Sequence, residues 1–452
     1  MSGSAVTRRG FVEAVGLSAG AAVVIGAPGI GKTASPNGKV RFGLIGAGNR
    51  AGELLDTFQH QPDVEVVAIA DVDDRHAAGA AERVKKEQGH TPETSRDYRR
   101  MLDRKDVDAV IIATPDHWHA LPAISAVMAG KDVYVEKPVA HNVAEGKAMI
   151  AAARKYNKIM AVGMQQRSSE HFRKAVEIVR SGKLGKVFWV QTWNFENISP
   201  TGMGRYPDGE APSYVDYDRW LGPAPKRPFN PNRFHLLFRW FFDYAGGMMS
   251  DWGVHLNDIV LWALDAKGPK AVSAAGGIFT TDDDRDTPDT LQVVYEFPGC
   301  TLTYSMRKGN GLKFHGRGYG ILFCGTDGSL LLDRSGYEII PDTTVLPYGI
   351  KLAHGDRPTR AIKLKQESVK GANDGQAVHV RNFLDCLRSR ALPAADIEIA
   401  HRSTNTCHLG NIALRVGHRL SWDTETETFK DDSEANDLLA REPRRGFELP
   451  TL

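Results

Sequence analysis

Hydrophobic and polar positions keep two different rhythms along this chain. In the first, short apolar runs at 39–45, 64–70, 109–113, 133–135 and 159–162 alternate with helical spacing at 52–60, 75–88, 97–103, 120–128 and 143–156. Apolar runs separated by helices predict parallel strands covered on both faces, a doubly wound sheet. In the second, strand-like runs at 187–195, 271–279, 291–297, 301–306, 319–324 and 329–332 follow one another without helices between them. That succession predicts a large, mainly antiparallel sheet. Helix-like segments at 376–388 and 397–419 close the pattern. The expected fold class is α/β: a doubly wound parallel domain over 38–167, then an α+β domain over 168–452 with closing helices within 376–419.

Composition adds exclusions. The 452 residues are 42% hydrophobic and 25% charged with a net charge of +2, which is enough for about two full cores. Near-neutral balance leaves no electrostatic footprint for nucleic acid. After position 35 no strongly apolar stretch reaches ~18 residues, so no membrane span is expected once the leader is removed. Cys300, Cys324, Cys386 and Cys407 lie far apart without metal-ligand spacing and read as buried free thiols, with a disulfide left open because sequence does not give pairing.

Residues 1–35 stand apart. Thr7-Arg8-Arg9-Gly10-Phe11-Val12 resembles the twin-arginine export signature and precedes a mildly apolar, Gly/Ala-rich run. Glu13 stands where such signals often carry lysine. Export to the periplasm is the expectation, with cleavage near 27–37. Within this leader, Gly26-Ala27-Pro28-Gly29-Ile30-Gly31-Lys32-Thr33 spells a phosphate-loop pattern. That chemistry needs a helix directly after Lys-Thr, and Ala34-Ser35-Pro36-Asn37-Gly38 is a turn instead, so no triphosphate site is expected.

The candidate chemistry begins at Gly46-Ala47-Gly48-Asn49-Arg50-Ala51, a G-x-G-x-x-[GA] loop joining strand to helix. Gly46 allows the tight turn, Gly48 lets backbone approach a pyrophosphate, and Ala51 permits close helix–strand packing. The next strand ends at Asp71, twenty residues past Ala51. A carboxylate there accepts hydrogen bonds from ribose hydroxyls and repels a 2′-phosphate, so NAD is expected, with Arg50 and Arg75 keeping NADP open. Later strands end in Thr114-Pro115-Asp116-His117-Trp118-His119 and in Glu136-Lys137-Pro138. Thr114, Pro115, His117 and His119 are expected to line the nicotinamide side. His117 and His119 have no third ligand in view, so no metal is expected. Lys137 closes a parallel strand, where open α/β sheets bind their ligands. Asp251 and His255 are four apart, on one face of a helix, where a carboxylate can fix the imidazole tautomer.

Together with Gly163-Met164-Gln165-Gln166-Arg167 and the stretch Gly247 to His255, these motifs resemble the Gfo/Idh/MocA family of glucose–fructose oxidoreductases and inositol dehydrogenases. The resemblance covers essentially everything after residue 35. It implies a Rossmann cofactor domain, with Lys137, Asp251 and His255 as the catalytic group. Further cofactor contacts are implied at Asn49, Arg50, Glu136, Lys137 and Gln165. In 194–255, several tryptophans crowd with Arg233, His235, Arg239 and Tyr244, offering flat faces beside hydrogen-bonding cations for a polyhydroxylated ring. Substrate contacts are expected at Arg167, Arg233, His235, Tyr244, Asp251 and His255.

A hydride can leave a carbinol carbon only if the hydroxyl proton leaves too, and Lys137 or His255 can take it. The expected function is an exported NAD(P)-dependent oxidoreductase acting on a sugar or cyclitol hydroxyl or carbonyl. Its cofactor is expected to be tightly bound and recycled in place, because no free pool is maintained outside the cytoplasm. The alternative is a redox-neutral NAD-dependent glycoside hydrolase or lyase, working by transient oxidation and elimination. The expected partners are a small carbohydrate and, by the resemblance, further copies of the chain in a homodimer or homotetramer.

Overall fold

The computed structural model describes residues 38–342, 363–372 and 374–452. The expected export signal and the phosphate-loop pattern at 26–33 lie outside these residues. The first layer is built from β1 (Val40–Ile45), α1 (Asn49–Gln59), β2 (Val64–Ala70), α2 (Asp74–Gln88), β3 (Glu93–Ser95), α3 (Tyr98–Leu102) and β4 (Ala109–Ile112). It continues through α4 (Ala120–Met128), β5 (Asp132–Val135), α5 (Val143–Lys155) and β6 (Met160–Val162). The six strands are parallel in the order β3-β2-β1-β4-β5-β6. Every residue of β4 and β5 is buried, which is why 109–112 and 133–135 read as unbroken apolar runs. Strand order reverses at β1, so a crevice opens between the carboxyl ends of β1 and β4.

The second layer contains α6 (Glu170–Arg180), β7 (Val187–Phe195), α7 (Tyr217–Leu221), α8 (Val254–Leu264), β8 (Ala271–Gly277), β9 (Thr290–Phe297) and β10 (Cys300–Arg307). It goes on through β11 (Tyr319–Gly325), β12 (Gly328–Asp333), β13 (Gly336–Pro341) and β14 (Glu367–Lys370). Helices α9 (Gly375–Ser389) and α10 (Ile397–Val416) and strands β15 (Leu420–Asp423) and β16 (Thr428–Phe429) follow. Ten strands form one sheet in the order β14-β13-β12-β11-β7-β10-β9-β8-β15-β16. Only β7 and β10 pair in parallel; the other described pairs are antiparallel. Helices α6, α8 and α10 cover one face, where Tyr295 donates from its hydroxyl to Thr406 O at 2.7 Å.

Several boundaries differ from the pattern's expectation for local reasons. Helix α1 starts at Asn49, because the glycine loop already supplies its first turn. Strand β8 ends at Gly277 because the next amides turn aside: Phe279, Thr280 and Thr281 all donate to the Asp289 carboxylate. Helix α10 stops at Val416, capped by Gly417 in the left-handed region at φ 82°. Helix α9, one of the closing helices counted with the second domain and placed by the family resemblance near the cofactor domain, packs against the first. Its Phe383 ring lies 6.2 Å from Phe42 and 5.6 Å from Tyr134. Within the charge run Asp282–Asp286, Asp283 and Arg285 are buried and ion-paired at 2.6 Å, while Asp282 and Asp286 are exposed.

Candidate active site

A cleft of about 580 Å³ runs along the carboxyl ends of β1, β2, β4 and β5, bounded opposite by residues of the second domain. At one end the glycine loop turns into α1. Gly46 has φ +81°, and a Cβ there would lie 2.9 Å from Thr114 N, so the loop needs glycine. Gly48 is the N-cap of α1 and brings no side chain to cap it, which leaves amide donors of the first turn facing the cleft. Ala51 is fully buried beneath that turn. Arg50 donates through Nε to Glu136 Oε1 at 2.8 Å, and its buried Nη2 has no partner among the described residues. Asp71 accepts from Ala47 N at 2.6 Å and Asp73 N at 2.8 Å, and burial raises its carboxyl above the usual range.

Further along, β5 delivers Glu136 and Lys137 to the cleft wall. Lys137 Nζ donates to Asp251 Oδ1 and to the Asp251 carbonyl, both at 2.8 Å. That double contact exists because Asp251 sits in a π-helical turn, Met249–Gly253, just ahead of α8. Arg239 approaches the same carboxylate oxygen at 3.3 Å. Burial opposes ionisation of Asp251, but Lys137 and Arg239 hold its carboxyl far below the usual range. His255 is buried one turn on and does not line the cleft. Burial, with Lys137 and Arg334 beside it, keeps its imidazole neutral. Its Nδ1 has no hydrogen-bond partner among the described residues.

A second carboxyl, Asp116, faces this group from the loop after β4. It is 7% exposed and lines the cleft. Burial pushes its carboxyl up to about 7, against the opposing pull of Arg239 and Lys137. The strand-and-loop pattern exposed the loop but not this residue's distinction; only the packing around it does that. Trp118, Trp220, Phe238 and Phe447 also line the cleft and were not separable by spacing from core aromatics.

Other expected site residues lie elsewhere. Thr114 and Pro115 do line the cleft, but His117 and His119 are buried beside it. His117 Nε2 meets Trp220 O at 3.0 Å, and burial lowers the ring to about 3. His119 lies between Pro138 O at 2.7 Å and Thr114 O at 2.9 Å. Gln165 is half-buried away from the cleft, in the short turn onto which α9 packs. Arg167, expected on substrate, is 6% exposed and donates from Nε to both Asp258 oxygens at 2.9 and 2.8 Å. Arg233 pairs with Asp208 at 2.8 Å outside the cleft, and Tyr244 is fully buried in an aromatic cluster. His235 lines the cleft, at the Asp71 end rather than beside Lys137; it donates to Asp73 Oδ2 at 3.0 Å and packs on His76. Asp73, His76 and His235 form a metal-like grouping that spacing could not show. The Asp73 carboxylate there is already held by Arg75 and His235.

Comparison with known proteins sets this geometry in context. A glycosyl hydrolase family 109 protein of Shewanella sp. strain ANA-3 is 31% identical over 203 residues, 40% of this chain and 44% of that relative. The alpha-N-acetylgalactosaminidase of Shewanella oneidensis is 32% identical over the same shares. An uncharacterized Bacillus subtilis oxidoreductase, YrbE, is 34% identical over 146 residues, 32% of this chain and 40% of that protein. The chain thus spans less than half the length of these curated relatives. In fold, it is similar to levoglucosan dehydrogenase solved with NADH and levoglucosan, at TM-score 0.63 and 18% identity over 84% of this chain and 98% of that one. The WlbA dehydrogenase of Bordetella pertussis, solved with NADH and UDP-GlcNAcA, has TM-score 0.60 and 19% identity over 85% and 99%. The NAD-binding Rossmann fold of the Gfo/Idh/MocA oxidoreductase family matches residues 40–164 and its C-terminal alpha/beta domain matches 171–303 and 362–449, so the chain belongs to that family.

Proposed function

We propose that this protein is an NAD(P)-dependent oxidoreductase acting on a hydroxyl or carbonyl of a sugar or cyclitol. The observation that carries the reading is Lys137, held at 2.8 Å by Asp251 in the same cleft that begins at the glycine loop. The donor set fits a dinucleotide. Uncapped amides of α1 and the unpartnered Arg50 Nη2 suit a pyrophosphate, and the Asp71 carboxylate suits ribose hydroxyls. When bound, the nicotinamide would accept the substrate's hydride. Lys137 would then handle the hydroxyl proton, Asp251 and Arg239 would fix the position of Lys137, and the aromatic wall would exclude water.

Retention of the cofactor in place is part of the proposal. The second domain closes over the loops of the first: Asp216 N donates to Val72 O at 2.9 Å and Trp118 Nε1 to Trp220 O at 2.9 Å. Phe447 packs edge-on to Trp118 at 5.6 Å. Such cover slows exchange, and it suits the export proposed from the twin-arginine-like residues Thr7 to Val12. We further propose that the chain assembles as a homodimer or homotetramer. A second reading, the redox-neutral hydrolase or lyase, is favoured by the family 109 relatives named above.

An absorbance spectrum of the purified protein, then of its denatured supernatant, tests retention: stoichiometric nicotinamide is expected. Lys137→Ala is expected to abolish reduction of the bound cofactor by sugars while leaving it bound; unchanged turnover would sink the assignment. Release of nitrophenol from nitrophenyl glycosides would move the conclusion to the second reading.

A further inference from the structure

One turn of the second domain lies along the cleft. It is the short helical turn His235–Trp240, of which His235, Leu236, Phe238 and Arg239 line the cleft wall. Its two ends meet different parts of the site. Arg239 approaches Asp251 at 3.3 Å beside Lys137, whereas His235 donates from Nε2 to Asp73 Oδ2 at 3.0 Å in the loop after β2. The His235 ring lies 3.6 Å from the Phe234 ring and 4.4 Å from that of His76. His76 in turn stands 3.8 Å from Asp71 Oδ2, and a Cβ added at Gly48 would lie 3.9 Å from its ring. The turn therefore reaches the place where Asp71 and the glycine loop would hold the adenosine ribose.

The contact is built as a fastening. Asp73 is fully buried and takes two donors on each oxygen: Arg75 N at 2.9 Å and Nε at 3.2 Å on Oδ1, Arg75 Nη2 and His235 Nε2, both at 3.0 Å, on Oδ2. With those lone pairs engaged, the Asp73–His76–His235 group is a hydrogen-bonded knot rather than a cation site. His235 also holds a left-handed backbone, φ +47°, which residues with a Cβ rarely adopt. Such conformations persist where surrounding contacts impose them, and they recur at ligand clamps. The same loop is tied to the second domain through backbone as well, Asp74 N donating to Tyr214 O at 3.0 Å. Those backbone ties leave the cleft wall itself to the His235 turn, and the Asp73 bond is the hydrogen bond its His235 ring makes to the first domain.

We propose that His235 is the latch that retains the cofactor: its bond to Asp73 holds the turn shut over the adenosine end of the cleft, and breaking that bond lets the dinucleotide exchange. This rests on the proposed dinucleotide site and assigns its retention to one side chain; it does not depend on which sugar is used. His235 acts through Asp73, so it is a positioning residue. Release of a bound molecule through such an opening is limited by how often the closing segment lifts.

The test follows exchange of bound NAD for isotopically labelled NAD on the full chain, by gel filtration and mass spectrometry. His235→Phe keeps a ring beside His76 and removes the donor. It is expected to speed exchange on the order of tenfold, the loss of one hydrogen bond to a carboxylate. His235→Gln, whose amide still donates, is expected to stay close to the wild-type rate. Nicotinamide mononucleotide lacks the adenosine half, so its affinity, read by tryptophan fluorescence, is expected to be equal in wild type and His235→Phe. Unchanged NAD exchange in His235→Phe overturns the latch. So does an equal loosening of the mononucleotide, which would mean that the variant only slackens the fold. If His235→Phe does not fold, His235→Ala takes its place with the same expectations. A wild type that binds no NAD at all sinks the dinucleotide reading itself, whereas NAD held equally by wild type and variant sinks the latch alone.

Discussion

Removing the Arg167 guanidinium should unfold this protein more readily rather than weaken its grip on a sugar. Arg167 Nε donates to both Asp258 oxygens, Ser403 Oγ donates to Asp258 Oδ1 at 2.7 Å, and the guanidinium stacks 4.9 Å from the Trp262 ring. The paired side chains are only 6% and 1% exposed. Arg167→Ala leaves a buried carboxylate with one hydroxyl donor. Breaking a buried pair from one side costs about 3–5 kcal/mol. Against a typical total of about 5–15 kcal/mol, that is a large fraction of the fold's stability. Urea unfolding followed by tryptophan fluorescence should show a marked drop in midpoint. Replacing both partners, Arg167→Met with Asp258→Leu, should recover most of it, because no charge is then left stranded. An Arg167→Ala protein with an unchanged midpoint and a raised KM for sugar would refute this reasoning and return Arg167 to the substrate.

Gly46→Ala should reduce cofactor occupancy, read as nicotinamide absorbance after gel filtration. The new methyl meets Thr114 N at 2.9 Å, at a φ that L-residues rarely adopt; full occupancy would contradict the close approach of β1 and β4. His408 is buried, donates from Nε2 to Ala140 O at 3.1 Å, and is lowered by burial to about 4. Above pH 6.5 it is neutral folded or unfolded, so no penalty arises. Between 6.5 and about 4 the unfolded chain takes a proton that the fold refuses, costing about 1.4 kcal/mol per pH unit, and below the folded value the loss levels off. His408→Gln should flatten the decline in unfolding midpoint over that window by this amount; an identical slope would show that the ring is not buried neutral.

Periodicity alone determined the two-layer plan, because buried parallel strands and meandering antiparallel ones leave different apolar patterns. The positions of the glycine loop, Asp71 and Lys137 at the cleft were legible for a related reason: each follows the carboxyl end of a parallel strand, and strand ends are written in adjacent residues. Contacts made across the fold were not legible. Arg167 and His235 were both expected on substrate, yet α8 supplied Asp258 to one and the loop after β2 supplied Asp73 to the other. Helix α9 packs on the first domain because Phe383 fills the space beside Phe42 and Phe58; the family resemblance implied that placement, but no spacing encodes the contact. Asp116 and Asp251 are both plain aspartates in sequence. Burial without an ion pair among the described residues sets the first apart and a 2.8 Å lysine fixes the second, because protonation depends on surroundings that only the folded chain assembles.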